Sequence, residues 1–168
     1  MSDSVLRSVQ LAYELGGVAA LREFLETTPP TEERFEALVA GLKKSSASGP
    51  VTWVLLGWLK GGFEPREEAV ADYLQAFPDL EAGDARLHAC QSIVHLEVPA
   101  ENADSLAEFL RDAVKSGHKF TRAWAVDGFH RLGLQHAEYR GEARRILDRA
   151  SRDGAASVRA RVRRIAAE

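Results

Sequence analysis

The sequence predicts an all-α fold, a stack of helix pairs forming one domain, on three observations. An apolar stripe at helical spacing recurs four times, a second set of apolar anchors advances with it, and turn residues fall between the segments. The stripe is plainest at Leu106, Phe109, Leu110 and Ala113, whose positions 0, 3, 4 and 7 line one face of a helix. It occurs earlier as Phe35, Leu38, Val39, Leu42 and as Val70, Tyr73, Leu74, Phe77, and later as Ala143, Ile146, Leu147, Ala150, with offsets of 35, 36 and 37 residues. The second set consists of the pairs Val54/Trp58, Ala89/Ile93, Ala125/Phe129 and Val162/Ala166, offset by the same 35, 36 and 37. Independent helices have no reason to share a drift. Helices packed as units do, because length changes then fall between the units.

The punctuation places each element in order. Residues 4–27 form an N-terminal helical segment broken near Gly16-Gly17, and Pro29-Pro30-Thr31 precedes the first stripe with Thr31 as its cap. Ser48-Gly49-Pro50 separates that helix from its partner, and Gly61-Gly62 closes the unit. Pro65 fits the first turn of the next helix. Pro78 interrupts after Phe77, and Gly83-Asp84 opens the following helix. Pro99, Gly117, Gly133 and Gly154 mark the remaining breaks. The predicted organisation is a cap over 1–30 and four repeats over about 31–63, 64–98, 99–136 and 137–168.

Composition narrows the class. The chain of 168 residues is 45% hydrophobic and 28% charged, neither disordered nor membrane-like, and its most apolar run, Val51 to Leu59, is far too short to span a bilayer. The first residues carry no basic, apolar leader pattern, and the one cysteine, Cys90, precludes an internal disulfide or a multi-cysteine zinc site. A cytoplasmic protein is expected. The net charge of −3 conceals an asymmetry: residues 1–137 hold 13 Lys/Arg against 20 Asp/Glu, whereas 138–168 hold 9 Arg against 5 Asp/Glu. A basic end of this kind fits either a solvated terminal face or contact with an acidic partner or nucleic acid.

Three of the second helices read Arg86-Leu-His-Ala89, Arg122-Ala-Trp-Ala125 and Arg159-Ala-Arg-Val162; in the first unit Val51 stands where the arginine would be. This pattern resembles the second helix of HEAT repeats. Over residues 31–168 the resemblance implies an α-solenoid of the HEAT/armadillo kind, a right-handed α-α superhelix whose second helices line a concave side. Small residues three after the anchors, Gly57, Ser92 and Gly128, are expected to let neighbouring helices approach closely.

Positions one before, two after and six after each anchor share another stripe. Read across units they form three rows: Trp53, His88, Trp124, Arg161; then Leu56, Gln91, Asp127, Arg164; then Lys60, His95, Arg131, Glu168. The rows grade from aromatic to cationic. The candidate partner-binding residues are Trp53, His88, Gln91, His95, Trp124, Asp127, Arg131, Arg161 and Arg164, since aromatic and arginine side chains dominate interface energetics. Large aromatics at helical spacing also fit packing between helices, so both readings of Trp53 and Trp124 stand.

Other chemistry finds no motif. Gly16-Gly17 and Gly61-Gly62 lack the flanking strand and Lys-Ser/Thr of a phosphate loop. His88 and His95, at i and i+7, would lie about 10 Å apart along a helix, too far to chelate one metal ion unaided. Cys90 reads as a small apolar residue, and Glu32-Glu33 and Glu67-Glu68 read as first-turn acids that complement helix dipoles. No catalytic residue, cofactor or metal is expected, and no membrane. The expected function is a non-enzymatic module that binds a protein or peptide partner, one that is acidic where it meets the C-terminal end. The alternative is a nucleic-acid-binding or DNA-repair protein of the HEAT-like glycosylase type. The resemblance implies a concave face with aromatic, carboxylate and basic groups for such enzymes, and Trp124, Asp127, Arg161 and Arg164 have that character.

Overall fold

The computed structural model describes residues 2–42 and 48–168, and every regular element among them is helical. An N-terminal helix α1 (Ser2–Thr27) precedes four pairs: α2 (Glu32–Leu42) with α3 (Ser48–Lys60), α4 (Glu67–Gln75) with α5 (Gly83–Ser92), α6 (Ala103–Ala113) with α7 (Lys119–Gln135), and α8 (Arg140–Ala150) with α9 (Ala156–Ile165). The second helices α3, α5, α7 and α9 pack side by side in chain order, and α2, α4 and α6 do the same in a neighbouring layer. Helix α1 lies across α2 and α3, and α8 packs on α7 and α9. No helix among the described residues is long and apolar enough to cross a membrane.

Local sequence explains most boundaries. Gly17 adopts φ 60°, ψ −145°, which kinks α1 where a side chain would be strained. Thr31 Oγ1 accepts from the Arg34 amide at 3.3 Å, the expected cap of α2. Glu32, Glu33, Glu67 and Glu68 occupy first turns, as their charge favours. At the end of α3, Gly62 takes φ 90°, its amide donates to the Leu59 carbonyl, and the Phe63 amide donates to Trp58. Those two bonds satisfy carbonyls the helix would leave open.

Three boundary residues fall elsewhere than expected. Ser48-Gly49-Pro50 is the first turn of α3 and not a separator, because a proline there forfeits no intrahelical hydrogen bond. Pro65 sits just outside α4, which begins after Arg66. Gly133 lies within α7, at the crossing with α8: a Cβ there would meet Ala143 Cβ at 2.9 Å and the Arg140 Cα at 3.3 Å. It serves close packing and does not end the helix.

The stripes form the core. All four members of the first three stripes are buried, as are Ala143, Ile146 and Ala150 of the fourth, with Leu147 half-buried. Their aromatic members touch in series through the first layer, Phe35 to Tyr73 at 5.8 Å, Tyr73 to Phe77 at 5.0 Å and Phe77 to Phe109 at 5.2 Å between ring centres. Ala89 and Ala125 are both fully buried in the second layer, as equivalent positions should be. The last anchors differ: Val162 is half-buried and Ala166 exposed, because α9 has second-layer packing on one side only, against α7.

The small residues accept side chains more than they bring backbones together. A Cβ on Gly57 would lie 2.5 Å from Leu25 Cδ1 of α1, and one on Gly128 would lie 2.9 Å from Ile93 Cδ1 and 3.1 Å from Leu110 Cδ2. Ser92 is buried for a different reason, since its hydroxyl donates to the His88 carbonyl and bonds the Tyr73 hydroxyl at 3.1 Å.

The arginines of the repeated tetrapeptide act alike in each unit. Arg86, Arg122 and Arg159 each donate back to the carbonyl six residues earlier, on Leu80, Ser116 and Asp153. Arg86 and Arg122 also reach forward to the next unit, to Asp112 at 2.6 Å and to both oxygens of Asp153 at 3.1 and 3.2 Å. Each such arginine therefore closes its own turn and clamps the following pair. The Arg122 guanidinium holds the Asp153 carboxyl below the usual carboxylate range, and Arg111 does the same to Glu142.

Two stability changes follow. Gly128→Leu must displace Ile93 and Leu110 and is expected to cost about 1–3 kcal/mol, as overpacked cores do; urea unfolding with an unchanged midpoint would refute that packing. Arg122→Ala is expected to cost about 1–3 kcal/mol, because half-buried carbonyl and carboxylate partners lose their charged donor. Arg159→Ala, which loses no forward clamp, should cost visibly less in the same titration.

Candidate functional site

The second-helix layer sets the candidate site, because side-by-side packing brings equivalent positions of successive helices into contact. Four contacts join residues 34 to 37 apart. Thr52 Oγ1 meets His88 Nδ1 at 3.0 Å, the Arg161 guanidinium lies 3.5 Å from the Trp124 ring centre, Arg161 donates to Asp127 at 3.4 Å, and Arg131 donates to Glu168. Two of these contacts, Arg161 on Trp124 and Arg131 on Glu168, join members of one predicted row, so the first and third rows are in register between α7 and α9.

The C-terminal half of the rows converges. Asp127 is 2% exposed; its Oδ1 accepts from Arg131 Nε at 3.3 Å and its Oδ2 from Arg161 Nη1. Arg161 is thus fixed on two sides, with its guanidinium over the indole and one edge on the buried carboxylate. Burial draws that guanidinium below its usual range, against the opposing pull of Asp127. Arg131 is a bridge: its Nε turns inward to Asp127 and its Nη2 outward to Glu168, whose side chain is 45% exposed. Arg164 stands exposed beside them, close enough to act on Arg161. Asp127 was expected on the recognition surface and lies beneath it, because α9 packs over α7 and its arginine seals the carboxylate.

The N-terminal half is drier and less charged. Trp53 is half-buried against the core, and Gln91 is half-buried on the same face. His88 is half-buried; burial holds its imidazole below the usual histidine range, opposed by Asp84. His95 is exposed but does not share a helix with His88: α5 ends at Ser92, and His95 falls in a 3-10 turn, Ile93–His95. The expected axial spacing of those histidines therefore does not apply. Burial first, then the Lys60 and Arg131 cations, lower its basicity, which places it between the two in the third row. Leu56, expected in the second row, is core at 4% exposure.

Trp53 and Trp124 turn out to do both things that aromatics at this spacing can do, packing on the core with one side and keeping the other partly open. Sequence reasoning missed His130, half-buried beside Arg131, and Thr52, which satisfies His88. It also missed an open cleft of about 620 Å³ between the loops that follow α3 and α5, lined by Glu64, Pro65, Glu67, Val70 and residues 94–100. The Glu-Pro and Val-Pro turns there are legible as loops, but that they face each other is not. Cys90 is fully buried and its thiol is pushed up to about 12 by burial, so it stays protonated, as a small apolar side chain would. Among the described residues no group of three His, Cys, Asp or Glu side chains could hold a metal ion.

Comparison of the chain with protein-family models, curated proteins and solved structures finds no match.

Two further outcomes test this geometry. Asp127→Asn leaves two guanidiniums without their buried counter-charge and is expected to cost about 1–3 kcal/mol. Adding Arg161→Gln to that variant should cost less than the two single effects summed, since the residues are coupled; additive midpoints in denaturant would refute the coupling. His88, His95 and His130 are all held below the ordinary value of 6.5 in the fold, chiefly by burial. The unfolded chain therefore takes up protons first as pH falls, so stability is full above about 6.5 and declines below it. His88→Gln should flatten the decline between pH 7.5 and 5.5, a window above ordinary carboxylate titration; an equal slope in wild type and variant would discount His88.

Proposed function

We propose that this chain is a non-enzymatic binding module, a right-handed HEAT-like α-solenoid that holds a protein or peptide partner against the face of α3, α5, α7 and α9. That face is the concave one in such stacks. The observation that carries this reading is the stacking of Arg161 on Trp124 above the buried Asp127, which sets oriented guanidiniums beside one half-exposed indole on the second-helix face, with a second, Trp53, on the same layer. Trp and Arg are among the side chains that most often dominate an interface, and Trp does so with few rotamers to lose. Arg161 supports the reading further: stacked and tethered, it meets a partner with its rotamer entropy already spent. The clamping arginines on the opposite sides of these helices keep the surface rigid while it is occupied.

A second reading, nucleic-acid binding or DNA repair of the HEAT-like glycosylase type, is favoured by one observation, the convergence of Trp124, Asp127 and Arg161. Against it, both Asp127 oxygens are already taken by arginines and the residue is 2% exposed, which keeps that carboxylate from facing a substrate. The acidic balance of residues 1–137 also opposes a phosphate backbone along the whole layer.

Photo-crosslinking separates face from face. Benzoylphenylalanine in place of Gln91, on the proposed binding surface, should yield protein adducts in a lysate of the source cells. The same group in place of Arg144, exposed on α8, should not. Adducts from Arg144 alone would overturn the assignment of the face. Single-stranded DNA binding that weakens steeply with added salt, with no protein adduct at Gln91, would favour the second reading.

A further inference from the structure

We infer that the Arg131 guanidinium is the anchor of a carboxylate-binding site on the second-helix face, that Glu168 occupies it as an internal stand-in, and that the natural occupant is a short acidic segment of a protein partner. The inference rests on the binding-module reading and gives that partner its chemistry.

Arg131 has two jobs at its two ends. Nε, turned inward, is committed to Oδ1 of Asp127, which is 3% exposed at its side chain and takes Arg161 on its other oxygen. The outer fork carries Nη2 to Glu168 Oε2. The inner contact fixes the plane of the guanidinium, so the outer fork is aimed before any ligand arrives. A pre-aimed arginine fork is the geometry that takes a carboxylate with both oxygens. Glu168 shows that a carboxylate fits the position. Its hold is weak, because the side chain is 45% exposed and exposed ion pairs contribute little. A partner carboxylate that also reaches neighbouring cations can replace it.

Those cations are at hand. Three arginines, Arg131, Arg161 and Arg164, gather along α7 and α9, and the side-chain carboxylates paired with them, Asp127 and Glu168, leave one positive charge over. Among the described residues Arg164 takes part in no ion pair. The Trp124 indole beneath Arg161 supplies an apolar wall beside the charge. The positive patch is confined to this half of the face; farther along, Lys60 and His95 give way to Glu64, Glu67 and Glu97 around the cleft. A polyanion running the length of the layer would meet those acids. A segment with two or three carboxylates would not. Charge complementarity therefore selects a short acidic peptide over nucleic acid.

The test uses the full chain and a fluorescein-labelled hexaglutamate, followed by anisotropy at low and moderate salt, with hexaglutamine as the neutral control. Glu168→Gln is expected to tighten hexaglutamate by up to about fivefold, the factor an exposed ion pair represents. Arg164→Gln, on an exposed side chain whose loss does not threaten the fold, is expected to weaken it by a similar factor. Arg131→Gln should abolish the Glu168→Gln gain, with circular dichroism checking that the double variant is folded. Failure of hexaglutamate to bind Glu168→Gln more tightly than wild type overturns the inference. So does a larger gain for a twelve-nucleotide single strand than for the peptide. If Gln91 adducts persist while hexaglutamate ignores Glu168, the binding-module reading survives and the acidic-partner inference alone falls.

Discussion

The structure depends on the requirement that each helix pair bury its apolar stripe against the next pair, because no pair can bury it alone. The requirement acts through small residues. Ala89 and Ala125 lie fully buried in the second layer, and Gly57 and Gly128 hold notches filled by Leu25, Ile93 and Leu110. Larger side chains at these points would push helices apart and break the register of everything on their outer faces. Packing in the core and alignment of the surface rows are therefore one constraint seen from two sides.

The repeated arginines reinforce that constraint with polar chemistry. Reaching back to a carbonyl and forward to the next unit's aspartate, Arg86 and Arg122 fix both the turn within a pair and the angle to its successor. Their partners are directional, unlike apolar burial, which tolerates sliding. In the first unit Val51, fully buried, stands in the arginine's place, and there α1 packs across α2 and α3. Apolar burial beneath an added helix thus does at one end what ion pairing does elsewhere.

Charge on the second-helix face is organised by a residue that the face conceals. Asp127 is buried under α9, yet it orients Arg131 and Arg161, and through them decides which guanidinium edges meet the surroundings. A buried carboxylate without donors would be costly, so its two arginines are held by its own need for partners. That coupling explains why the cationic part of the surface is ordered, and it underlies the proposal that this part receives an acidic segment.

Much of this was legible along the chain. The drift of 35, 36 and 37 residues, shared by two sets of apolar positions, determined that helices pair and stack, because periodic burial leaves a periodic trace in sequence. The rows of Trp53, His88, Trp124 and Arg161 and their neighbours were also readable, since helical geometry places them by spacing alone. What spacing could not supply was depth. Whether Asp127 faces a partner or an internal arginine, whether Leu56 is surface or core, and where α5 gives way to a 3-10 turn before His95 all depend on which helix arrives over that position. Gly133 reads as a break for the same reason: a glycine that ends a helix and a glycine that admits a neighbouring helix are identical until α8 is in place. Local sequence determined the periodicity of faces; tertiary structure decided their covering, because burial is a property of two surfaces and each stretch of sequence encodes only one.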